Sequence, residues 1–270
     1  MKFRENKNMK ISLVISTYNW PEALYLCLLS VTKQTMIPEE VIIADDGSLP
    51  DTKEVIDKMR INFPCPLKHV WHEDKGFRLS VIRNKAFAIC KGDYIIEVDG
   101  DIIMHPHFIE DHASEAKRGY FLAGSRGKMT KRLSQTLLEK KEYNLSYFNW
   151  GIRRVLNTIR IPLLTSLFYN YKRNKKERGC NISFWKDDLY AVNGCDERIV
   201  GYGFEDIDLC LRLRRSGIQK RFLKFKAIEY HIYHKAVKTK KNMNANEVIF
   251  NENNRLKIIK CKKGIDQYLQ

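Results

Sequence analysis

Two carboxylates one residue apart, Asp99 and Asp101, directly follow a mostly apolar run at 94–98. The run predicts a β-strand, and residues i and i+2 of a strand point to the same side. If the strand geometry persists through Gly100, both carboxylates project from the carboxyl end of the strand toward one point. Such a pair suits Mg²⁺ or Mn²⁺ that is held together with a phosphorylated ligand. The alternative is a solvated turn, because Asp and Gly are common turn residues.

Two polar clusters lie nearer the N-terminus. Asp45 and Asp46 end a second predicted strand and precede Gly47-Ser48. They either form a turn that caps the next helix or accept hydrogen bonds from a base or a ribose. Arg78 opens a predicted helix that contains Asn84. These two residues are either part of an ordinary helix start or contacts to a nucleotide, where the planar donor fork of Arg78 suits phosphate.

The later half of the chain holds an acidic loop and a pair of histidines. Glu205, Asp206 and Asp208 follow the glycines of a loop and open a predicted helix. The acids either stabilise the helix start through its dipole or supply a general base opposite a metal-bound phosphate. His231 and His234 close the last predicted strand. They are either structural or metal ligands. If the strand continues, the two histidines point to opposite faces and only one of them could bind a metal. If the chain turns there, both side chains could converge on the metal.

These residues are placed by a regular alternation of predicted strands and helices. Apolar runs predict strands at 11–16, 41–44, 67–71, 93–98, 120–124 and 222–230, and helices are predicted at 51–60, 79–90 and 107–118 and from Pro21. Pro21 suits the first turn of its helix. Alternation at this spacing predicts a mostly parallel sheet with helices on both faces. Ligands in such sheets bind beyond the carboxyl ends of the strands, where these polar residues lie.

The composition restricts the class of protein. The chain has 270 residues, 44% of them hydrophobic, which is enough for one large α/β domain or two small ones. We find no apolar run of 18 residues that could span a membrane, and the polar, basic start at 1–10 lacks the apolar core of a signal peptide. The seven cysteines are scattered without a C-x-x-C pair, which favours a reducing cytoplasm over a disulfide or zinc framework.

The net charge of +16 is concentrated in two segments. Residues 126–178 carry +11 and residues 235–263 carry +7, so the motif-bearing body is close to neutral. We interpret 126–178 as a basic amphipathic insert, either a helix in the interface of an anionic membrane or a segment packed over an acceptor cleft. Pro162 would kink or break such a helix. A nucleic-acid-binding protein is disfavoured, because the cations avoid the motif-bearing body and no binding motif is present.

The order of these motifs resembles the family 2 nucleotide-sugar glycosyltransferases of the GT-A fold. The segment 15–19 is similar to the family's first-strand loop, which implies that Thr17, Tyr18 and Asn19 contact uracil and ribose. The segment 44–48 resembles the second-strand motif, with Asp46 a stronger candidate than Asp45 for the base contact. The segment 97–101 resembles the family's Asp-x-Asp, which implies that Asp101 binds the metal and Asp99 the ribose or the metal.

The segments 179–184 and 192–197 are similar to the acceptor-side half of galactosyl- and N-acetylgalactosaminyl-transferases, a half that bacterial chondroitin-type polymerases share. The segment 202–206 resembles the group's Trp-Gly-Gly-Glu-Asp motif, with Tyr202 in place of Trp and Phe204 in place of Gly. The resemblance implies that Asp206 is the catalytic base and Glu205 a sugar or acceptor contact. It also implies a late metal-binding segment, for which we favour His234 while His231, or both, stay open.

The resemblance implies an α/β GT-A fold with a Rossmann-like half at 1–125, the insert at 126–178, an acceptor and catalytic half at 179–234 and a basic tail at 235–270. It further implies an inverting enzyme that uses Mn²⁺ or Mg²⁺ to move a hexose or N-acetylhexosamine from a UDP-sugar. The implied acceptor is a glycan or lipid-linked glycan of cell-surface polysaccharide synthesis, in the cytoplasm and in peripheral contact with the inner face of the membrane. The alternatives are a nucleotidyltransferase of similar fold or, as the weaker one, a basic nucleic-acid-binding protein.

Overall fold

A computed structural model of the chain describes residues 9–145, 149–170, 180–235 and 240–269, with no side chains given for 240–243. The strands are β1 Ile11–Thr17, β2 Glu40–Asp45, β3 Leu67–Trp71, β4 Tyr94–Asp99, β5 Ile102–Met104, β6 Tyr120–Ala123, β7 Ser125–Met129, β8 Ile152–Arg153, β9 Asn181–Trp185, β10 Gln219–Phe222 and β11 Ile228–His231. The helices are α1 Pro21–Thr32, α2 Pro50–Arg60, α3 Leu79–Ala88, α4 Phe108–Glu115, α5 Lys131–Lys140, α6 Lys186–Ala191, α7 Glu205–Arg215 and α8 Lys240–Arg255, and short 3₁₀ helices span Val155–Asn157, Pro162–Phe168 and Ile265–Tyr268.

The central sheet has seven strands in the order β10-β6-β9-β4-β1-β2-β3. Its neighbours run parallel except at β9, which is antiparallel to both β4 and β6. Every residue of β1 and β2 is buried. Strands buried on both faces read as continuous apolar runs, and this explains why the alternation of elements was visible in the sequence. The prediction of a mostly parallel α/β sheet is confirmed.

The alternation of side chains along each strand divides the core into two layers. Leu13 and Ile15 of β1 pack into one layer with α1, α2 and α4, while Val14 packs into the other with α3, α6 and α7. The apolar stripe of α1 lies in the first layer and consists of Leu24, Cys27, Leu28 and Val31. Helices therefore cover both faces of the sheet, and its carboxyl edge is left for the polar residues.

A smaller sheet lies beside the central one. Its strand order is β5-β11-β7-β8, and β11 pairs antiparallel with β5 and parallel with β7. Ile103, Ile228 and Tyr230 of this sheet join α1 and α5 residues in a third apolar cluster. Because β5 directly follows Asp101, this sheet brings the chain around 228–234 next to the carboxyl end of β4.

Two sequence predictions about secondary structure are wrong. The single late strand predicted at 222–230 is two strands, β10 and β11, in different sheets. Phe225 and Ala227 have φ angles of 67° and 47°, in the left-handed region, and they turn the chain between the strands. A continuous helix in the insert is not formed at 149–170, where β8 and two short 3₁₀ helices occur instead, the second opening at Pro162.

Part of each basic segment lies outside the described residues. These parts are the cations at 171–179 of the insert and the cation at 236–239 of the C-terminal segment. The rest of the C-terminal segment forms α8 and a 3₁₀ helix that packs against α3. Among the helices that the structure describes, none has the length and apolarity that crossing a bilayer requires.

Candidate active site

Several of the predicted functional residues lie at the carboxyl ends of β2, β1 and β4, which are neighbours in the sheet. Thr17 lies opposite Asp45 in one register, and Ser16 lies opposite Asp99 in the other. The Gly100 amide donates to the Ser16 carbonyl oxygen at 2.7 Å. A Cβ atom on Gly100 would stand 3.1 Å from that oxygen and 3.2 Å from the Thr17 hydroxyl oxygen. Glycine between the two aspartates therefore lets the chain turn closely against β1.

Asp101, His231 and His234 form a cluster that could hold a divalent metal. Each offers one ligand atom, and these atoms lie within 4.8 Å of one another. Asp101 Oδ2 lies 3.4 Å from His231 Nε2 and 3.1 Å from His234 Nε2. Asp101 Oδ1 is buried and has no hydrogen-bond partner among the described residues. A buried carboxylate oxygen without a partner, beside two imidazoles, is a donor set that suits a divalent cation.

Both histidines reach Asp101 because the strand ends between them. His231 is the last residue of β11 and lies opposite Ile102, immediately after Asp101. The Ile232 amide donates to the Asp101 carbonyl oxygen at 2.9 Å, and the chain then leaves the sheet. The edge of the Trp20 ring packs against His234. Burial lowers the pKa of His231 to about 4, whereas the hydrogen bond with Asp101 raises that of His234. The neutral imidazole that binds a metal is therefore favoured at His231.

Arg83 of α3 connects the Asp-x-Asp turn to the acidic loop. Its side chain is 3% exposed, and its guanidinium contacts three carboxylates. Nε lies 2.6 Å from Glu97, Nη2 lies 3.4 Å from Asp99, and Nη1 lies 2.8 Å from Asp206. Asp99 and Asp206 thus share one guanidinium although they are distant in sequence. The planar fork of arginine suits this multiple pairing in a way that a lysine ammonium would not.

The acidic loop turns sharply before it opens α7. Gly201 and Gly203 have φ angles of 88° and 98°, and Phe204 has a φ of 77°. Left-handed backbone costs a non-glycine residue about 1–2 kcal/mol, so Phe204 occupies a position that favours glycine. Glu205 and Asp206 are the first two residues of α7, where the helix dipole stabilises negative charge.

Glu205 and Asp206 differ in their surroundings. The Asp206 side chain is 21% exposed and is paired with Arg83. Glu205 is buried, and its Oε2 has no hydrogen-bond partner among the described residues. Burial, followed by the adjacent Asp206 carboxylate, raises the pKa of Glu205 to about 8, against the opposing effect of Arg83. Glu205 is therefore suited to keep its proton at neutral pH.

The residues predicted to contact a nucleoside form a hydrogen-bonded turn beyond β1 and β2. Asn19 donates its amide to Ser48 Oγ and accepts from the Leu49 amide, both at 2.8 Å. The Tyr18 hydroxyl donates to Asp74 at 2.9 Å, and Tyr18 is half exposed. Thr17 is buried at the end of β1. This arrangement leaves the Tyr18 ring as an exposed face beside the carboxyl edge.

Asp45 and Asp46 are both buried, and each pairs with a histidine. Asp45 lies 2.8 Å from His69 Nε2 and accepts from the Ser48 amide at 2.8 Å. Asp46 lies 2.7 Å from His72 Nε2 and accepts from the Arg78 amide at 2.9 Å. Burial raises the pKa of Asp46, while His72 and the Arg78 amide oppose the change.

Arg78 and Asn84 are placed differently. The Arg78 guanidinium donates to the Glu73 carbonyl oxygen, and its buried Nε has no partner among the described residues. Asn84 is fully buried and uses its amide group on the later half of the chain. It donates to Glu197 and exchanges two hydrogen bonds of 2.8 Å with the Cys195 backbone. The structure therefore brings Arg78 to the Asp46 turn, and it uses Asn84 to join α3 to the loop at 193–197.

Sequence reasoning did not select Arg83, the half-buried Arg126 or the buried Glu229. Arg126 lies opposite Glu229 in the smaller sheet and donates to Cys180 Sγ at 3.1 Å. Both Glu229 carboxylate oxygens are buried without a hydrogen-bond partner in the described part of the chain. Burial raises the pKa of Glu229, and nearby Asp99 and Asp101 act in the same direction. The sequence signal for Arg83 was weak, because α3 also contains the polar residues Asn84 and Lys85 beside it.

Comparison with known proteins finds two family models that match this chain. The model of the family described as glycosyl transferase family 2 matches residues 12–180, and the model described as the N-terminal domain of galactosyltransferase matches residues 163–235. Validoxylamine A glucosyltransferase of Streptomyces hygroscopicus subsp. limoneus is 28% identical over 225 residues, which cover 77% of this chain and 48% of the relative. Chondroitin synthase of Escherichia coli is 25% identical over 245 residues, which cover 82% of this chain and 34% of the relative.

The fold has solved counterparts. The crystal structure of Staphylococcus aureus TarS 1–349 in complex with UDP superposes with a TM-score of 0.60 at 16% identity, over 96% of this chain and 68% of that one. The chain spans about half the length of the first curated relatives it matches. The expected resemblance to the GT-A fold and to a galactosyltransferase-like later half is confirmed. The chain therefore belongs to glycosyl transferase family 2.

Proposed function

We propose that the chain is an inverting, metal-dependent enzyme that moves a hexose or N-acetylhexosamine from a UDP-sugar to a glycan or lipid-linked glycan acceptor. The observation that carries the proposal is the shared Arg83 guanidinium, which joins Asp206 to the Asp-x-Asp turn beside the Asp101 and histidine cluster. A base and a metal-binding carboxylate are thereby held at one edge of one sheet. Inverting transfer of the proposed metal-dependent kind needs both around the same anomeric carbon.

Asp101, His231 and His234 would hold Mn²⁺ or Mg²⁺, with Asp99 as the candidate for a further metal or ribose contact. Two imidazole nitrogens with one carboxylate suit Mn²⁺ better than Mg²⁺, which prefers oxygen ligands. When bound, the cation neutralises charge that develops on the departing diphosphate. The unpartnered Asp101 Oδ1 supports this assignment independently of the histidines.

In the proposed transfer, Asp206 takes the proton of the acceptor hydroxyl as that oxygen bonds to the anomeric carbon. The bond from that carbon to the diphosphate oxygen breaks on the opposite face, and UDP departs with its electron pair. One displacement inverts the configuration. Arg83 holds the proposed base, Asp206, in an ion pair, and Glu205 would contact the sugar or acceptor through a protonated carboxyl. General-base assistance contributes about 10²–10⁴-fold.

The nucleoside would lie on the turn built by Thr17, Tyr18 and Asn19, next to the two aspartates at the end of β2. Asp46 would accept from the base, with His72 and the Arg78 amide fixing its orientation. Arg78 would approach phosphate through its unpartnered Nε. Asn84 would not contact the nucleotide directly and would support the site through its hydrogen bonds to the Cys195 backbone. The UDP in the complex of the related TarS fold supports the choice of nucleotide.

We also propose that the enzyme works in the cytoplasm, in peripheral contact with the inner face of an anionic membrane. Trp150 is 97% exposed and Leu163 is 91% exposed, within the insert of net charge +11. Exposed apolar side chains among cations are typical of segments that bind an anionic interface. Flotation with anionic vesicles at low salt tests this proposal, with neutral vesicles as the control. If the wild-type protein stays at the bottom of the gradient with anionic vesicles, just as Trp150→Ser does, the proposed membrane contact is refuted.

The test of the catalytic proposal is sugar transfer with a panel of nucleotide-sugars and Mn²⁺. We expect free UDP as the co-product, whereas pyrophosphate would indicate nucleotidyl transfer. Asp206→Asn should lose about 10²–10⁴-fold in turnover and retain UDP binding. Asp187→Asn is the control, because Asp187 is an exposed aspartate on α6. Turnover of Asp206→Asn at the level of that control would overturn the assignment of the base.

A further inference from the structure

The C-terminal helix α8 packs against the loop that carries Glu205 and Asp206. Three of its residues, Asn246, Phe250 and Asn253, are spaced by four and three positions, which places them on one helix face. Asn246 is 1% exposed and Asn253 is 2% exposed, although both are polar. Buried polar side chains must be hydrogen-bonded to be tolerated, so the identity of their partners is informative.

Asn246 holds the backbone of the loop before the catalytic acids. Its Oδ1 accepts from the Val200 amide at 3.1 Å, and its Nδ2 donates to the Gly203 carbonyl oxygen at 3.2 Å. One side chain thus bridges two points of a turn that contains left-handed Gly201 and Gly203. The Phe204 ring lies 5.0 Å from the Phe250 ring, centroid to centroid. The helix therefore contacts Val200, Gly203 and Phe204, in the loop that leads into α7.

Asn253 holds the same loop from the other side of the acids. Its Nδ2 donates to Asp208 at 2.9 Å and to Asp196 at 3.0 Å, and its Oδ1 accepts from Arg198 at 2.7 Å. The contacts of α8 therefore lie both before and after Glu205 and Asp206 in sequence. The segment that follows α8 is anchored in turn, because Asn193 donates to the Cys261 carbonyl oxygen at 2.9 Å.

We propose that α8 is a positioning element of the active site, in which Asn246 and Phe250 fix the loop that carries Asp206. The inference rests on the proposed role of Asp206 as the base. Both family matches end at or before residue 235, so this function lies in a segment that they do not include. A shift of about 1 Å in a catalytic group can cost as much as about 10²-fold in rate. Loosening the loop should therefore lower turnover and leave the nucleotide site intact.

The experiment compares Asn246→Ala and Phe250→Ala with Asn251→Ala, an exposed asparagine on the same helix. For the first two we expect kcat to fall by about tenfold or more, while the calorimetric affinity for UDP with Mn²⁺ stays within about twofold. Hydrogen exchange should accelerate at 199–206 and stay unchanged in β1 and β4. Phe250→Tyr keeps the ring and should restore most of the turnover. If Asn246→Ala does not fold, Phe250→Leu provides the same comparison.

Asp206→Asn is measured in the same series so that the two hypotheses fail separately. A kcat within about twofold of the wild-type value in Asn246→Ala and Phe250→Ala, beside an inactive Asp206→Asn, overturns the positioning role and leaves the proposed function standing. An active Asp206→Asn overturns the assignment of Asp206 as the base. The claim that the contacts of α8 with the loop support catalysis then fails as well. Equal losses of UDP affinity and kcat would identify α8 as a general structural support, which also overturns the proposal.

Discussion

Replacing Arg83 by Met should destabilise the protein and disable the site together. The side chain is buried, and its guanidinium faces Glu97, Asp99 and Asp206. Methionine fills a similar volume but leaves Glu97, which is 1% exposed, without a counter-charge. Removing one partner of a buried ion pair costs about 3–5 kcal/mol. For a chain of this size that loss lowers the melting temperature by about 6–20 °C.

The assay is urea unfolding followed by circular dichroism, with calorimetric titration of UDP and Mn²⁺ on the folded variant. Arg83→Lys keeps the charge but not the planar fork, so we expect an intermediate loss of stability. Arg118→Met is the matched control, because Arg118 forms an exposed ion pair with Asp187 that is worth about 1 kcal/mol or less. A loss below about 1 kcal/mol in Arg83→Met, with UDP binding retained, would refute the view that this guanidinium holds the carboxylates together.

Three further predictions concern the metal, the loop and pH. His234→Ala should weaken Mn²⁺ binding by about tenfold or more in calorimetry, whereas His107→Ala, outside the cluster, should not; equal affinities would exclude His234 as a ligand. Phe204→Gly and Phe250→Ala should be coupled by about 0.5–1.5 kcal/mol in a double-mutant cycle of unfolding, and additivity would deny the ring contact an energetic role. Burial lowers the pKa of His112 to about 4 from 6.5, so the stability it contributes is complete above pH 6.5 and is lost as pH falls toward 4. His112→Gln should therefore reduce the acid sensitivity of unfolding by about 3 kcal/mol over that range, and an unchanged pH profile would contradict this assignment.

Much of the N-terminal half of the fold could be predicted because its signals are local. The run at 11–16 is buried on both faces of the sheet, and Pro21 stands at the first turn of α1. The Asp-x-Asp turn follows a strand that is almost entirely buried. In each case the residues that decide the structure are neighbours in sequence. The expectation that polar residues gather at the carboxyl edge then followed from parallel topology alone.

The contacts between elements could not be predicted in the same way. Sequence reasoning selected Arg78 and Asn84, which flank the buried Arg83, and passed over Arg83 itself. The meaning of Arg83 depends on Asp206, which is 123 residues away in sequence. The prediction of one late strand at 222–230 also failed. The left-handed backbone at Phe225 separates two strands there, and the residue types of the segment do not indicate it. Local sequence patterns predict which side chains are buried, but they do not predict which charged side chains from distant segments form ion pairs.

Phe204 shows how a departure from a motif can be explained by a distant segment. The family motif has glycine where this chain has Phe204, and the φ of 77° at that residue is one that glycine adopts without strain. A phenylalanine there costs about 1–2 kcal/mol in the backbone, and an aromatic pair returns about 0.5–1.5 kcal/mol. The partner ring is supplied by Phe250 of α8, whose neighbour on the same face, Asn246, holds the adjacent carbonyl. The strained residue and the C-terminal helix therefore form one unit, since neither the ring at 204 nor the burial of Asn246 is favourable without the other segment.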